Sequence, residues 1–258
     1  MKRKCKELKR IARENILGNY STLAVAILIT NLIVSLVTYP FSILYGINPS
    51  ISTLIIMYIA TFLISMASSI LICGQYRIHL AIAHGKHTGV SDMFYTVTHR
   101  PDRYILAYLL FTALTILAIL PLFLSYGLIL ISPILALILL LPLCALTYFL
   151  IFLVLLRYQL VYFFLLDDET LGIIDAFKLC RQKMHGHKGR LLYITFSFLP
   201  MYLLTFLSFG LATFWVQPYQ IQTLTVLYLE ISGQLDVVEE QKKAPAQTPE
   251  PTVFNQYV

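Results

Sequence analysis

The chain has 258 residues, 58% of them hydrophobic and only 12% charged, with a mean hydropathy of +0.76. A soluble fold of this size cannot cover that much apolar surface with so few charges. The net charge of +6 is therefore a membrane-topology signal before it is a nucleic-acid footprint, and no nucleic-acid partner is expected.

Residues 1–14, MKRKCKELKRIARE, set seven Lys and Arg against two Glu. Leu8, Ile11 and Ala12 recur at helical spacing, which predicts a short basic amphipathic helix lying on the membrane surface. The apolar run behind it is too long for a cleaved leader and lacks a small-residue cleavage site, so it reads as an uncleaved anchor. Three charge-free blocks follow: Asn15–Tyr76, Tyr104–Leu156 and Leu191–Leu229. A crossing needs about 20 apolar residues for a hydrocarbon core of about 30 Å. The first block fits helices near Tyr20–Leu44 and Ser52–Cys73, parted by Pro40 and the Gly46–Pro49 turn. The second fits Tyr104–Leu124 and Pro133–Leu156. The third fits Leu191–Leu211 and a shorter, more polar helix near Phe214–Leu229.

These spans predict an all-α, polytopic integral membrane bundle of about six transmembrane helices, arranged as three hairpins with amphipathic cytosolic linker helices. The membrane domain covers 15–229, with linkers at 74–103 and 157–190. The tail 230–258, carrying Pro245, Pro249 and Pro251, reads as a disordered cytosolic segment. On this layout every Lys and Arg lies in the N-terminus, the second or fourth connection, or the tail, all on one side. The positive-inside rule makes that side cytoplasmic, with both termini inside a multi-pass protein of the cell membrane. Apolar Leu160–Leu166 would alternatively extend the fourth helix past Arg157. The four cysteines, Cys5, Cys73, Cys144 and Cys180, form no CxxC pair and suggest no disulfide framework.

The two linkers echo each other. Gly89-Val90-Ser91-Asp92-Met93-Phe94 and Gly172-Ile173-Ile174-Asp175-Ala176-Phe177 both read G-x-x-D-x-F. Read as a repeat, the match divides the chain into three units, each a cytosolic amphipathic helix followed by a hairpin. Read as chance, it marks two ordinary amphipathic linkers. In the second linker Ile173, Phe177, Cys180 and Met184 form an apolar stripe, Asp168 or Thr170 can cap the helix, and bases collect toward its C-terminal side. Its apolar face is expected at headgroup level.

Candidate chemistry is sparse. His84-x-x-His87 and His185-x-His187 lack a carboxylate or Cys to complete a metal site, and no cofactor is expected. Asp167-Asp168-Glu169 reads as helix capping more simply than as a catalytic carboxylate group. The predicted spans contain no Asp, Glu, Lys, Arg or His, whereas pumps and intramembrane proteases place ionisable groups at depth. All six His fall in the linkers. No HExxH, P-loop or GxSxG motif is present, and no catalytic residue is nominated.

Asp168, Ala176-Phe177, Met184-His185-Gly186-His187-Lys188, Ser197-Phe198 and Gln217-Pro218-Tyr219 carry a resemblance over about residues 5–230. They resemble the Gram-positive bacterial family of uncharacterised multi-spanning membrane proteins called domain-of-unknown-function family 975. The resemblance implies a short basic N-terminal helix, an acidic-Phe linker, a basic Gly-containing stretch and a Pro-Tyr opening to the last span. It implies topology and no mechanism.

The residues then support two roles. One is a non-enzymatic membrane protein whose cytosolic face touches anionic inner-leaflet lipids, a membrane-protein partner or a second copy of the chain. Its candidate contacts are Lys178, Arg181, Lys183, Lys188 and Arg190. The other is a transporter or permease component for a small or lipidic substrate, with Gln217, Gln220 and Gln222 as a polar path beside Pro218. A lipid-modifying enzyme using Asp167, Asp168 and the linker histidines is the weakest alternative.

Overall fold

The computed structural model describes residues 3–129 and 132–243, and all its regular elements there are helices. In hydrocarbon every backbone N–H and C=O must be satisfied within its own segment, so the charge-free blocks become helices. The first block gives α2 (Tyr20–Ile47) and α3 (Ile51–Ala83), preceded by α1 (Cys5–Ile16). Pro40 sits inside α2, which runs three residues past the expected Leu44, and the break falls at Asn48-Pro49-Ser50. There Ser50 Oγ accepts from Thr53 N–H at 3.2 Å and Thr53 Oγ1 accepts from Ser50 N–H at 3.0 Å, a reciprocal cap. The second block gives α5 (Pro101–Ile129) and α6 (Pro133–Tyr158), preceded by a 3-10 turn at Val90–Phe94 and a single helical turn, α4 (Tyr95–Thr98). The Leu160–Leu166 run forms α7 (Val161–Asp167) after a brief break at Gln159-Leu160, so the apolar stretch does continue past Arg157. Then come α8 (Ile173–Lys183), α9 (Lys188–Ser197), α10 (Leu199–Leu207), α11 (Thr213–Ser232) and α12 (Leu235–Lys243).

Among the described residues five helices are long and apolar enough to cross a membrane: Tyr20–Ile47, Ile51–Ala83, Pro101–Leu124, Leu137–Asp167 and Lys188–Leu207. The expected sixth, α11, is too polar to join them by composition. It is nevertheless the helix around which the others gather. From Ile221 to Leu229 it is buried without interruption, and Tyr228 is 1% exposed.

Most burial lies at the charged end of the bundle. The larger core joins α1, the C-terminal part of α3, α7, α8, α9, α11 and α12, through residues such as Leu8, Ala83, Phe163, Met184, Leu191 and Leu227. An aromatic column runs through it, with Tyr76 of α3 stacked on Phe163 of α7 at 5.1 Å and Phe163 on Tyr228 of α11 at 5.5 Å. Away from this end, Leu36, Tyr39, Ile59, Leu117, Leu141 and Phe149 are exposed, a surface far larger than soluble monomers carry. The amphipathic helices differ from expectation in one respect. The stripe of α1 packs on α11, and Phe177, Cys180 and Met184 of α8 are buried in the same core, so both apolar faces meet protein rather than lipid.

The connections interlock. α3 continues ten residues past Cys73 because polar residues there find partners: Gln75 Nε2 donates to Thr30 Oγ1 at 2.6 Å, and Arg77 lies 3.4 Å over the Tyr95 ring. Arg103, 4% exposed, donates from Nη2 to the carbonyls of Asp168 at 3.1 Å and Leu171 at 2.7 Å, tying the two linkers together. The G-x-x-D-x-F echo has a structural counterpart. Gly89 and Gly172 both stand at the N-cap in extended conformation, Asp92 and Asp175 both occupy the first turn, and the next residues, Met93 and Ala176, are fully buried. The expected caps of α8 are displaced by this arrangement. Asp168 instead accepts from the Thr170 hydroxyl and N–H, and those bonds hold its carboxyl below the usual carboxylate range.

The final block turns back on itself. Arg190 at the start of α9 donates to Glu230 Oε2 near the end of α11 at 2.6 Å, and Tyr202 of α10 donates to Gln220. Left-handed Gly233 closes α11, with Gln234 N–H bonded to Leu229 O at 2.8 Å. The start of the segment 230–258, expected to be disordered, is helical. Residues 230–232 finish α11, α12 follows, and what remains lies outside the described residues.

Candidate functional site

Two concave regions stand out, one basic and one neutral. The basic one forms where α8 docks on the end of α6. The Cys180 thiol donates to the carbonyl of Arg157 at 3.2 Å, and the Phe177 and Tyr158 rings meet at 5.2 Å. These contacts bring the outer face of α8 beside Arg157 and the start of α9. The resulting concavity, of about 690 Å³, is lined by Arg157, Lys178, Arg181, Gln182, His185 and Lys188. Among the described residues no carboxylate lines it. Lys178 pairs with Asp175 at 3.2 Å, an exposed i,i+3 pair of small energetic weight. Among the described residues the side chains of Arg157, Arg181 and Lys188 form no hydrogen bond or ion pair, although the Arg157 carbonyl accepts from Cys180. Clustered cations without counter-charges repel one another, and an anion relieves that repulsion.

The neutral region, of about 300 Å³, lies between α3, α10 and α11. Tyr76, Gln159, Tyr202, Thr205, Gln217 and Gln220 supply its polar lining. Pro218 leaves α11 without one backbone donor beside it. Behind this face a polar seam is sealed inside the protein. His79 Nδ1 donates to Gln222 Oε1 at 2.7 Å; both residues are buried, and Gln222 Nε2 has no partner among the described residues.

The nominated residues thus divide. Lys178, Arg181 and Lys188 converge on the basic concavity. Lys183 is exposed on α8 but does not line it, and Arg190 turns away into the bond with Glu230. Gln217 and Gln220 share the neutral cavity, whereas Gln222 faces the opposite way, toward His79. Arg157, Gln182 and His185 were not foreseen as contacts, nor Tyr76 and Tyr202 as cavity walls. His79 was expected in a linker with the other histidines; it is buried inside a helix long enough to cross a membrane. Asp167, once weighed as an acid, accepts from Tyr228 OH at 2.7 Å and Gln234 Nε2 at 2.6 Å. Among the described residues no three His, Cys, Asp or Glu come together as a metal-holding group.

Several long apolar helices gathered by a basic, hydrogen-bonded collar are the build of a multi-span helical membrane protein. More particularly, the chain belongs to the family described as "Protein of unknown function (DUF975)", whose family model matches residues 1–234. No curated protein and no solved structure matches the chain.

Proposed function

We propose that this is a non-enzymatic multi-pass protein of the cell membrane that acts through contacts at its basic cytosolic face, first of all with anionic inner-leaflet lipid. The observation that carries this is the carboxylate-free concavity of Arg157, Lys178, Arg181 and Lys188. On this proposal α11 is a sixth crossing, the helices pair as three hairpins and both termini are cytoplasmic. The confinement of Lys and Arg to the N-terminus, the connections on one side and the tail supports that orientation. Each basic side chain near an anionic leaflet contributes about 1 kcal/mol of attraction. The test is native mass spectrometry of the intact protein in neutral detergent with phosphatidylglycerol and phosphatidylcholine. Phosphatidylglycerol adducts should outlast phosphatidylcholine adducts, and Lys178→Ala/Arg181→Ala/Lys188→Ala should remove the difference. Equal retention of the two lipids by the unaltered protein would sink the proposal.

The neutral cavity favours a second possibility, passage of a small or lipidic substrate. Gln217 and Gln220 both line it, as a polar path through this helix requires. Discontinuous or Pro-containing helices with uncharged polar linings serve this purpose in transporters. In proteoliposomes carrying a fluorescent lipid in the inner leaflet, transfer to the outer leaflet should exceed that of empty vesicles and fall in Gln217→Leu/Gln220→Leu. Transfer no faster than in empty vesicles would count against it.

A further inference from the structure

We infer that the basic concavity is a binding site for the phosphomonoester group of a lipid, a doubly charged phosphate, rather than a general anionic surface. The inference rests on the proposed contact between this face and the membrane, and narrows it to one chemistry.

Charge matching carries the first step. Four basic side chains line the concavity, and among the described residues only Lys178 has a carboxylate beside it, Asp175. A phosphodiester brings one negative charge and would leave most of this charge unanswered. A phosphomonoester brings about −1.5 to −2 at neutral pH and three acceptor oxygens. Two of the four cations are arginines, whose planar forks match phosphate oxygens two at a time.

Rigidity carries the second step. Arg157 is the last charged residue before α6 ends at Tyr158, half-buried, with its own carbonyl fixed by the Cys180 thiol. Lys178, Arg181, Gln182 and His185 follow the i, i+3, i+4, i+7 spacing of one helix face, so α8 and the turn after it present them together. That helix cannot swivel while Phe177, Cys180 and Met184 remain buried beneath it. Lys188 opens α9 and adds the positive end of that helix's dipole. A diffuse basic patch would have cations on unrelated segments; here they are set on three elements docked to one another.

Location carries the third. Arg157 follows the charge-free run that ends at Leu156, and the chain then breaks at Gln159-Leu160 before α7, whose Val161, Phe163 and Leu165 are buried in protein. On the proposed orientation this sets the concavity at the border between hydrocarbon and water. A phosphate held there arrives on a lipid. The volume of about 690 Å³ admits a headgroup with its glycerol, not a bare phosphate alone.

The experiment is calorimetric titration of the full-length protein in neutral detergent. The ligands are dioctanoyl phosphatidic acid, dioctanoyl phosphatidylglycerol, dioctanoyl phosphatidylcholine and soluble glycerol 3-phosphate. Phosphatidic acid is expected to bind at least about tenfold tighter than phosphatidylglycerol, and both tighter than phosphatidylcholine. Arg181→Gln, an exposed residue whose loss leaves the core untouched, should abolish the preference, as should Arg157→Gln/Arg181→Gln. Lys183→Gln removes a neighbouring base that does not line the concavity and should leave the preference intact. Equal binding of phosphatidic acid and phosphatidylglycerol would overturn the phosphomonoester site while leaving the basic-face proposal standing. Failure of both to exceed phosphatidylcholine would overturn both. An equal effect of Lys183→Gln and Arg181→Gln would overturn the site in favour of diffuse attraction. Glycerol 3-phosphate binding as tightly as phosphatidic acid would overturn the lipid source.

Discussion

Glu230→Ala is expected to destabilise the protein by about 3–5 kcal/mol, the loss usual when one partner of a buried ion pair is removed. Glu230 Oε2 accepts from Arg190 at 2.6 Å, and the two side chains are only 10% and 16% exposed. Its other oxygen accepts the backbone N–H of Arg3 at 2.7 Å, while Arg190 also donates to the Arg3 carbonyl at 2.7 Å. One carboxylate thus fixes the start of α9, the end of α11 and the segment leading into α1. Removing it strands the Arg190 guanidinium, whose side chain is largely buried, with only the Arg3 carbonyl as a bonded oxygen. The contrast is Asp236→Ala. Asp236 also bonds Arg3, but its side chain is 73% exposed, so solvent screens the pair and a change within about 1 kcal/mol is expected. Denaturant unfolding in detergent, followed by far-UV circular dichroism, compares the two directly. Glu230→Leu/Arg190→Met should recover much of the loss, because apolar replacement of both partners leaves no unpaired charge. If Glu230→Ala and Asp236→Ala have the same small effect, the network is not holding these helices together.

How far the chain could be read without coordinates depends on what each signal measures. Charge segregation marked the apolar blocks well, since a helix in hydrocarbon cannot hide an unpaired charge. It misplaced the end of α3, because Gln75, Arg77 and His79 look like linker residues until Thr30, Tyr95 and Gln222 are seen opposite them. It located α11, within the block that ends at Leu229, but mean hydropathy underrates that helix. A helix enclosed by protein can carry Gln222, Thr223 and Thr225, since its polar groups meet other helices instead of lipid tails. Composition therefore ranks the central helix below the peripheral ones.

Part of the candidate site was legible and was missed. At about 100° per residue, Gln217 and Gln220 lie on one face of α11 and Gln222 on nearly the opposite one, so helical spacing alone separates the cavity wall from the buried seam. The same rule sets Lys178, Arg181 and His185 together and leaves Lys183 aside. Arg157 was not legible in this way. It reaches the concavity only because Phe177 packs on Tyr158 and Cys180 bonds the Arg157 carbonyl, contacts between elements that no local periodicity encodes.

Gly74→Ala tests the closest approach to any glycine among the described residues, where two general effects oppose each other. In an exposed helix interior, alanine stabilises relative to glycine by up to about 1 kcal/mol. At Gly74 an added Cβ would stand 2.0 Å from the Met93 carbonyl oxygen, 2.8 Å from its carbon and 3.0 Å from its Cα. All three are backbone atoms, so no side chain can rotate away. The Val90–Phe94 turn must lift off α3. Lifting it exposes Met93, which is fully buried, and strains the Thr96 hydroxyl bond to Ile70 O at 2.9 Å and the Arg77–Tyr95 contact. Overpacking of a well-filled interior costs about 1–3 kcal/mol, occasionally more, and a clash with main chain belongs at the upper end. The clash should therefore win by a clear margin. Gly189→Ala supplies the reference, since a Cβ there meets nothing within 4 Å and its φ is not left-handed. The expected result is a lower unfolding midpoint for Gly74→Ala, with faster amide exchange from Val90 to Thr98, and an unchanged or slightly higher midpoint for Gly189→Ala. Equal midpoints for the two variants would mean that the first linker does not press against α3, and the interlocking of the connections would lose its anchor at that point.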